Sequence, residues 1–464
     1  MLDRRRFIQS IIAAAATPSL LSGAALAGPG TTAARKLRRD PDGILDLVGG
    51  LEYRVVSRHG TKMSDGLVVP GAHDGMAAFP GRDGRIIIIC NHELDGKYLP
   101  FSAFGKDYPA IPENMQARVY DLGGGKTPGL GGTTTTIWNP ATRETERQFL
   151  SLAGTEINCA GGPTPWGTWL SCEERFATAG EELTFRGKFV RERNHGYVFE
   201  VPAAATGLVE PRPIKSMGRF EHEACAVDPR TGIVYMTEDQ HHSLFYRFIP
   251  DVPGDLHKGG RLQALAAVGD SALPTHNWTA DHEIPLRSPL DVHWIDLKDI
   301  DRENDDLREH GAEHGAAMFA RGEGLCWAGD RAAFTCTIGG PARRGQVFTF
   351  TPGPDESGDG VSAEPGKLEL IAEADEESLL TNADNLTMAP WGDLIVCEDT
   401  LDNSNSSIVG IRPDGSQYLI ADNAYSDSEL AGVCFSPDGK TMFFNIQYPG
   451  MTLAITGDWK TSVA

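Results

Sequence analysis

Six hairpin-sized units recur along this chain, and each brings polar, mostly acidic, groups to the place where its two ends meet. The units open at Asp74, Cys159, Glu223, Glu323, Asp384 with Asn385, and Glu429. They close at Glu93, Glu173 with Glu174, Glu238 with Asp239, Thr337, Glu398 with Asp399, and Asn445. Two five-residue strands and a four-residue turn fill about fourteen positions, close to the observed spacing. Turns such as Gly81-Arg82-Asp83-Gly84, Pro390-Trp391-Gly392-Asp393 and Ser436-Pro437-Asp438-Gly439 stand between the apolar runs. A hairpin sets its first and last residues side by side, and such a unit needs neighbours to cover its apolar faces. The expected fold is therefore all-β: a six-bladed β-propeller-like barrel with loops and short helical insertions. All the acidic ends would then ring one mouth of its central channel.

The strands beyond each hairpin are partly legible. Third strands are expected at 117–120, 197–201, 244–248, 346–350, 407–411 and 452–455, and fourth strands at 135–138 and 418–420. Ile86, Ile87, Ile88 and Ile89 are apolar on both faces, as a strand held between two blades requires. Residues 251–290 and 351–366 read as loops, and 296–320 as a helical insertion that delivers Arg321 to the fourth unit.

The chain divides into an address, a linker and one body. Residues 1–27 carry Asp3-Arg4-Arg5-Arg6-Phe7-Ile8-Gln9, a short apolar stretch and Ala25-Leu26-Ala27, the pattern of a twin-arginine signal peptide. Residues 28–42 form a polar linker, and 43–464 a single domain. A periplasmic or secreted protein is expected, with the twin-arginine translocase as a partner during export. The apolar stretch is short and broken by polar residues, so no stable membrane anchor is expected. The net charge of −22, with no basic run outside the first 40 residues, excludes nucleic acid as a partner. Seven of the eight cysteines fall inside strands, where they serve as small buried residues rather than disulfides. Cys159 differs, because it stands at a ring position in the glycine-rich corner Asn158-Cys159-Ala160-Gly161-Gly162.

Carboxylates recurring at one hairpin end are not demanded by blade packing, and unneutralised they repel one another. Bound cations resolve that repulsion. Oxygen ligands suit calcium or magnesium, and a thiolate suits iron or zinc, so a mixed site is the simplest use of both. Arg321, two residues before Glu323, reads either as an ion-pair partner of a ring acid or as a forked clamp for phosphate oxygens. His92 and His222 flank ring acids but alternate to the other side of their strands, which makes them packing residues.

These residues resemble the PhoX-type alkaline phosphatases, a family exported by the twin-arginine route. The likeness rests on Asn91-His92-Glu93, the stretch from Asn158 through Leu170, Cys172-Glu173-Glu174, His222-Glu223-Ala224, Arg321-Gly322-Glu323-Gly324 and Asp384-Asn385-Leu386, and covers roughly residues 45–460. It implies a polynuclear cofactor of ferric iron and calcium at the channel mouth. Cys159, Glu223 and Glu323 would hold iron; Glu93, Glu173 and Asp384 would take calcium or bridging positions; Arg321 would hold substrate phosphate. The expected activity is hydrolysis of small phosphomonoesters. Two other readings of an acidic propeller channel stand beside it: a calcium-dependent hydrolase of lactones or phosphotriesters, and a non-catalytic propeller whose metals are structural.

Overall fold

The structure, a computed structural model, describes residues 36–105, 111–184, 188–280, 283–354, 356, 364–400 and 405–463. The expected signal peptide and the first part of the linker lie outside these residues. Six inner strands, His73–Pro80, Asn158–Pro163, His222–Val227, Gly322–Ala328, Ala383–Met388 and Leu430–Phe435, touch in that order and close into a ring. Each begins an antiparallel blade that runs outward. The third and fourth blades join edge to edge through Leu290–Asp296 and Gly366–Glu373, so separate sheets do not correspond one to one with blades. The second blade has three strands.

Closure uses both ends of the chain. Leu51–Arg58 pairs with Met451–Gly457 and becomes the outer strand of the sixth blade. Leu45–Leu47 pairs with Gln417–Asn423 at the edge of the fifth. Within the expected linker, Arg38 already exchanges backbone hydrogen bonds with Leu47, at 2.7 and 3.2 Å.

Burial explains the two-faced apolar strands. The core is divided into layers between adjacent blades: Ile88 packs with Phe443 and Cys434 of the sixth blade, while Ile89 packs with Trp169 and Phe199 of the second. All eight cysteines are free, and seven are buried.

Three expectations are corrected. The third strand of the first blade is Gly131–Asn139 and the fourth is Glu144–Thr155, whereas residues 117–120 lie in a loop crossing between blades. Gly260–Ala267 forms the fourth strand of the third blade inside a stretch read as loop. The segment 296–320 contains only one short helix, Leu307–Glu313, because its clustered acids and glycines sustain no longer apolar stripe.

Candidate metal centre

Every inner strand carries the same irregularity. Near its start, one extra residue is inserted between two paired residues relative to the partner strand: His73 to Met76, Asn158 to Gly161, His222 to Cys225, Gly322 to Leu325, Ala383 to Leu386 and Ala431 to Cys434. Such β-bulges re-aim a side chain out of the sheet alternation. The first residue of the bulge is Asp74, Cys159, Glu223, Glu323, Asp384 and, in the sixth blade, Gly432. Five of six blades therefore deliver a ligand-type side chain from one structural position. Glycine is required at the sixth. Gly432 has φ +65°, and a Cβ there would lie 2.4 Å from the Asp74 carbonyl oxygen.

The bulges also free backbone carbonyls, which the preceding blade satisfies with side chains. Asn91 donates to the carbonyls of Cys159 at 3.0 Å and Ala160 at 2.7 Å; Thr237 donates to that of Glu323 at 2.5 Å, and Thr335 to that of Asp384 at 2.6 Å. The ligand positions are thus fixed across blade boundaries as well as within them.

A second set of acids comes from the closing ends. Residues paired across the bulge, such as Glu173, Glu238 and Glu398, face away from the channel, and the residue after each faces into it. Glu93, Glu174 and Asp399 line the cavity with Asp74, Cys159, Glu223, Glu323, Asp384, Glu429 and Arg321. Asp239, at the corresponding place in the third blade, lies with Glu223 and Glu323.

Glu173, expected among the metal positions, is placed elsewhere. Its carboxylate accepts hydrogen bonds from the backbone N–H groups of Glu156 at 3.0 Å, Gly196 at 3.0 Å and Tyr197 at 3.2 Å. It also meets His195 Nδ1 at 2.7 Å, while His195 Nε2 reaches Asp121 at 3.2 Å. Burial works against a charge on His195, but Glu173 and then Asp121 override it and hold its pKa up at about 9. His92 and His222 face away as expected: His92 bonds to Gly71 and Thr134, and His222 stacks on Phe220 at 3.6 Å.

Three groups have ligand atoms within 4.8 Å of one another: Cys159 with Glu174 and Glu223; Glu223 with Asp239 and Glu323; and Asp74 with Glu93 and Glu429. Sequence reasoning marked Glu174, Asp239, Asp399 and Glu429 only as unit ends, and Gln447 not at all. The Gln447 amide nitrogen faces Asp74, Glu93 and Glu429 together. Its two N–H groups cannot serve three carboxylates equally, whereas a cation can.

Electrostatics point the same way. Burial first, then the neighbouring acids, raise the pKa values of Asp74, Glu223, Asp384 and Glu429 well above the carboxylate range. Burial, followed by Glu223 and Glu174, does the same to the Cys159 thiol. Eight carboxylates line the cavity with one guanidinium. That donor set fits multivalent cations: hard oxygens throughout, with one sulfur beside Glu174 and Glu223.

The guanidinium belongs to Arg321, which is also strained. Its φ of +57° is left-handed, as are those of Ala72, Ile157 and Asn382 at the same place in three other blades. In all four, the carbonyl of this residue accepts the N–H of the closing-end residue of its hairpin, Glu93, Glu174, Thr337 or Asp399, at 2.9 to 3.1 Å. The Arg321 side chain forks onto Asp239 at 2.7 and 2.8 Å and touches Glu323 at 2.7 Å.

A closed ring of bulged hairpins around a carboxylate-rich, cysteine-bearing channel defines a β-propeller with a candidate metal centre. The chain belongs to the PhoX family of alkaline phosphatases, whose family model matches residues 32–450. It is accordingly a metal-dependent hydrolase of phosphoric monoesters, acting on phosphorylated substrates. The solved structure of Pseudomonas fluorescens PhoX, in complex with the transition-state analogue vanadate, is similar at TM-score 0.67 and 17% identity. The match covers 92% of this chain and 98% of that one, and shows a shared fold. A periplasmic gluconolactonase of Pseudomonas aeruginosa matches with TM-score 0.42 and 13% identity over 89% of this chain and 93% of its own. A gluconolactonase of Xanthomonas campestris matches with TM-score 0.41 and 11% identity, over 89% and 96%. No curated protein matches in sequence.

Proposed function

We propose that this protein is an exported phosphatase that hydrolyses phosphomonoesters at a polynuclear calcium and iron centre in the channel mouth. The observation that supports it best is the single bulge position shared by Asp74, Cys159, Glu223, Glu323 and Asp384. Cys159, Glu223 and Glu323 would hold ferric iron, with Glu174 joining from the closing end beside Cys159. Asp74, Glu93 and Glu429 offer an all-oxygen set of the kind calcium takes. Asp384, with Asp399, completes the wall between them. Bound cations would neutralise the charge of a phosphoryl group and polarise it toward attack.

The protein's own groups do the positioning. Among the described residues, Arg321 is the one cation in a lining otherwise made of acids and a thiol. Held by Asp239, its planar fork would meet phosphate oxygens and stabilise the charge that develops on them. The same fork supports a second reading of that residue, as a strut between Asp239 and Glu323. Burial and the neighbouring acids favour the protonated forms of Asp74, Glu223, Asp384 and Glu429, so cation loading should displace protons from them.

Export by the twin-arginine translocase follows from the Arg4-Arg5-Arg6 segment and suits a protein that acquires its metals before crossing. Among the described residues no helix is long and apolar enough to cross a membrane. The test is elemental analysis beside a phosphatase assay on the natively exported protein. Iron and calcium with turnover support the reading; turnover that survives complete metal removal overturns it.

A further inference from the structure

Beside Arg321 lies a small basic and aromatic shelf, on a molecule whose net charge is −22. His241 and His242 are exposed and follow Asp239 and Gln240, whose carbonyl accepts the Arg321 N–H at 3.0 Å. The His242 ring stands edge-on to His276 at 4.9 Å and to Trp278 at 5.5 Å. His276 lies flat on Trp278, with ring centres 4.3 Å apart, and Arg343 Cζ sits 4.3 Å from the Trp278 ring centre. The shelf is fastened from below. Trp278 donates its indole N–H to the Ile338 carbonyl at 2.7 Å, and Gly340 donates to the His276 carbonyl at 2.8 Å.

Two features of this shelf are left unexplained by packing. Arg343 is exposed, adopts a left-handed φ of +53°, and pairs with no carboxylate among the described residues. The Nε2 of His276, a residue only 5% exposed, has no hydrogen-bond partner among them. A guanidinium stacked on an indole keeps its in-plane N–H donors directed outward in a fixed fork. That arrangement recognises a planar or tetrahedral oxyanion. The Gln240 carbonyl holds the Arg321 backbone, and two residues on the His242 ring meets the indole that Arg343 covers, so residues 240–242 and Trp278 link the two guanidiniums.

We propose that the Arg343–Trp278–His276–His242 shelf binds a second anionic group, carried on the alcohol portion of the phosphomonoester, while Arg321 faces the phosphate that is cleaved. This rests on the reading of the channel as a phosphatase centre. It assigns specificity to residues outside the ring of acids, and gives the substrate class as phosphomonoesters with a carboxylate or second phosphate several bonds from the scissile one.

Two matched substrate pairs test it: phenyl phosphate with 4-carboxyphenyl phosphate, and hexyl phosphate with hexane-1,6-diyl bisphosphate. On the metal-loaded enzyme the member of at least one pair with the second anionic group should show a KM about fivefold lower, the scale of one exposed charge pair. Arg343→Gln should abolish that difference and leave kcat and KM for phenyl and hexyl phosphate unchanged; Arg343→Lys should retain part of it. Equal KM values within both pairs, or an Arg343→Gln loss shared equally by all four substrates, overturn the shelf alone. Hydrolysis of none of the four by metal-loaded protein overturns the phosphatase reading and the shelf with it.

Discussion

Glu173 and Glu174 are neighbours in the chain and serve opposite sides of the second blade. Glu173 is locked by three backbone N–H groups and His195, while Glu174 lies with Cys159 and Glu223 in the channel. The same division separates Glu238 from Asp239 and Glu398 from Asp399. Glu238 bonds Tyr246, and Glu398 accepts from the N–H groups of Thr381 and Ser407. One carboxylate of each pair holds the loop that leaves the blade; the next faces the centre.

Substituting the two should therefore have different consequences. Glu173→Gln leaves the His195 imidazolium without its closest counter-charge in a buried site and should cost about 3 kcal/mol of stability. Glu174→Gln should leave the metal-free protein as stable as before, or more so, and deplete bound metal. Denaturant melts and elemental analysis on both variants check this.

Cys159→Ser should deplete iron more than calcium. The thiolate is the one soft donor in the lining, and serine offers a neutral oxygen in its place. Iron content unchanged in the purified variant contradicts the assignment.

Arg321→Ala should lower kcat/KM for p-nitrophenyl phosphate about a hundredfold, on the order of 3 kcal/mol, with metal retained. Arg321→Lys should recover part of this, since it keeps the charge but not the fork. The backbone accepts alanine, because Ala72 holds the same left-handed position in the first blade. If Arg321 is only a strut, metal content or melting temperature falls first and activity follows in proportion.

The metal-free protein should lose stability as pH rises. Asp74, Glu223, Asp384 and Glu429 have pKa values raised in the folded state, by burial first and then by one another and nearby acids. A raised carboxyl group contributes stability that is fully present below its unfolded pKa of about 4 and lost as pH climbs through the folded value. Chelated protein should accordingly be less stable near neutrality than at mildly acidic pH, when compared with a Glu223→Gln, Asp384→Asn double variant. Added calcium should restore the native protein far more than that variant. Parallel pH profiles for the two proteins would count against a crowded, cation-requiring ring.

Much of this was legible in the residues, and the misses share one cause. Spacing alone places Asp74, Cys159, Glu223, Glu323 and Asp384 at hairpin openings, and all five line the channel. What spacing does not reveal is the inserted residue in each inner strand, which changes which neighbour faces inward. Without the pairing of Asn158 with Glu173, the parity of Glu173 and Glu174 is undetermined, and the wrong one of the two was expected in the ring. In the sixth blade the same ambiguity hides Gly432 behind Glu429, which reaches the centre from the loop before the strand. The strand at Gly131–Asn139 was half hidden by its four consecutive threonines, which show no alternation because both faces are buried. Gln447 carries no signal at all, since an isolated glutamine at a strand end resembles any other surface amide.

The most direct test is the metal content and p-nitrophenyl phosphate turnover of one preparation of the natively exported protein, followed through chelation and reloading. Iron and calcium should be present together, turnover should vanish on their removal, and reloading both should return it. A preparation that binds neither metal yet turns over at full rate, or that binds both and hydrolyses no phosphomonoester, contradicts the assignment of this channel as the catalytic centre.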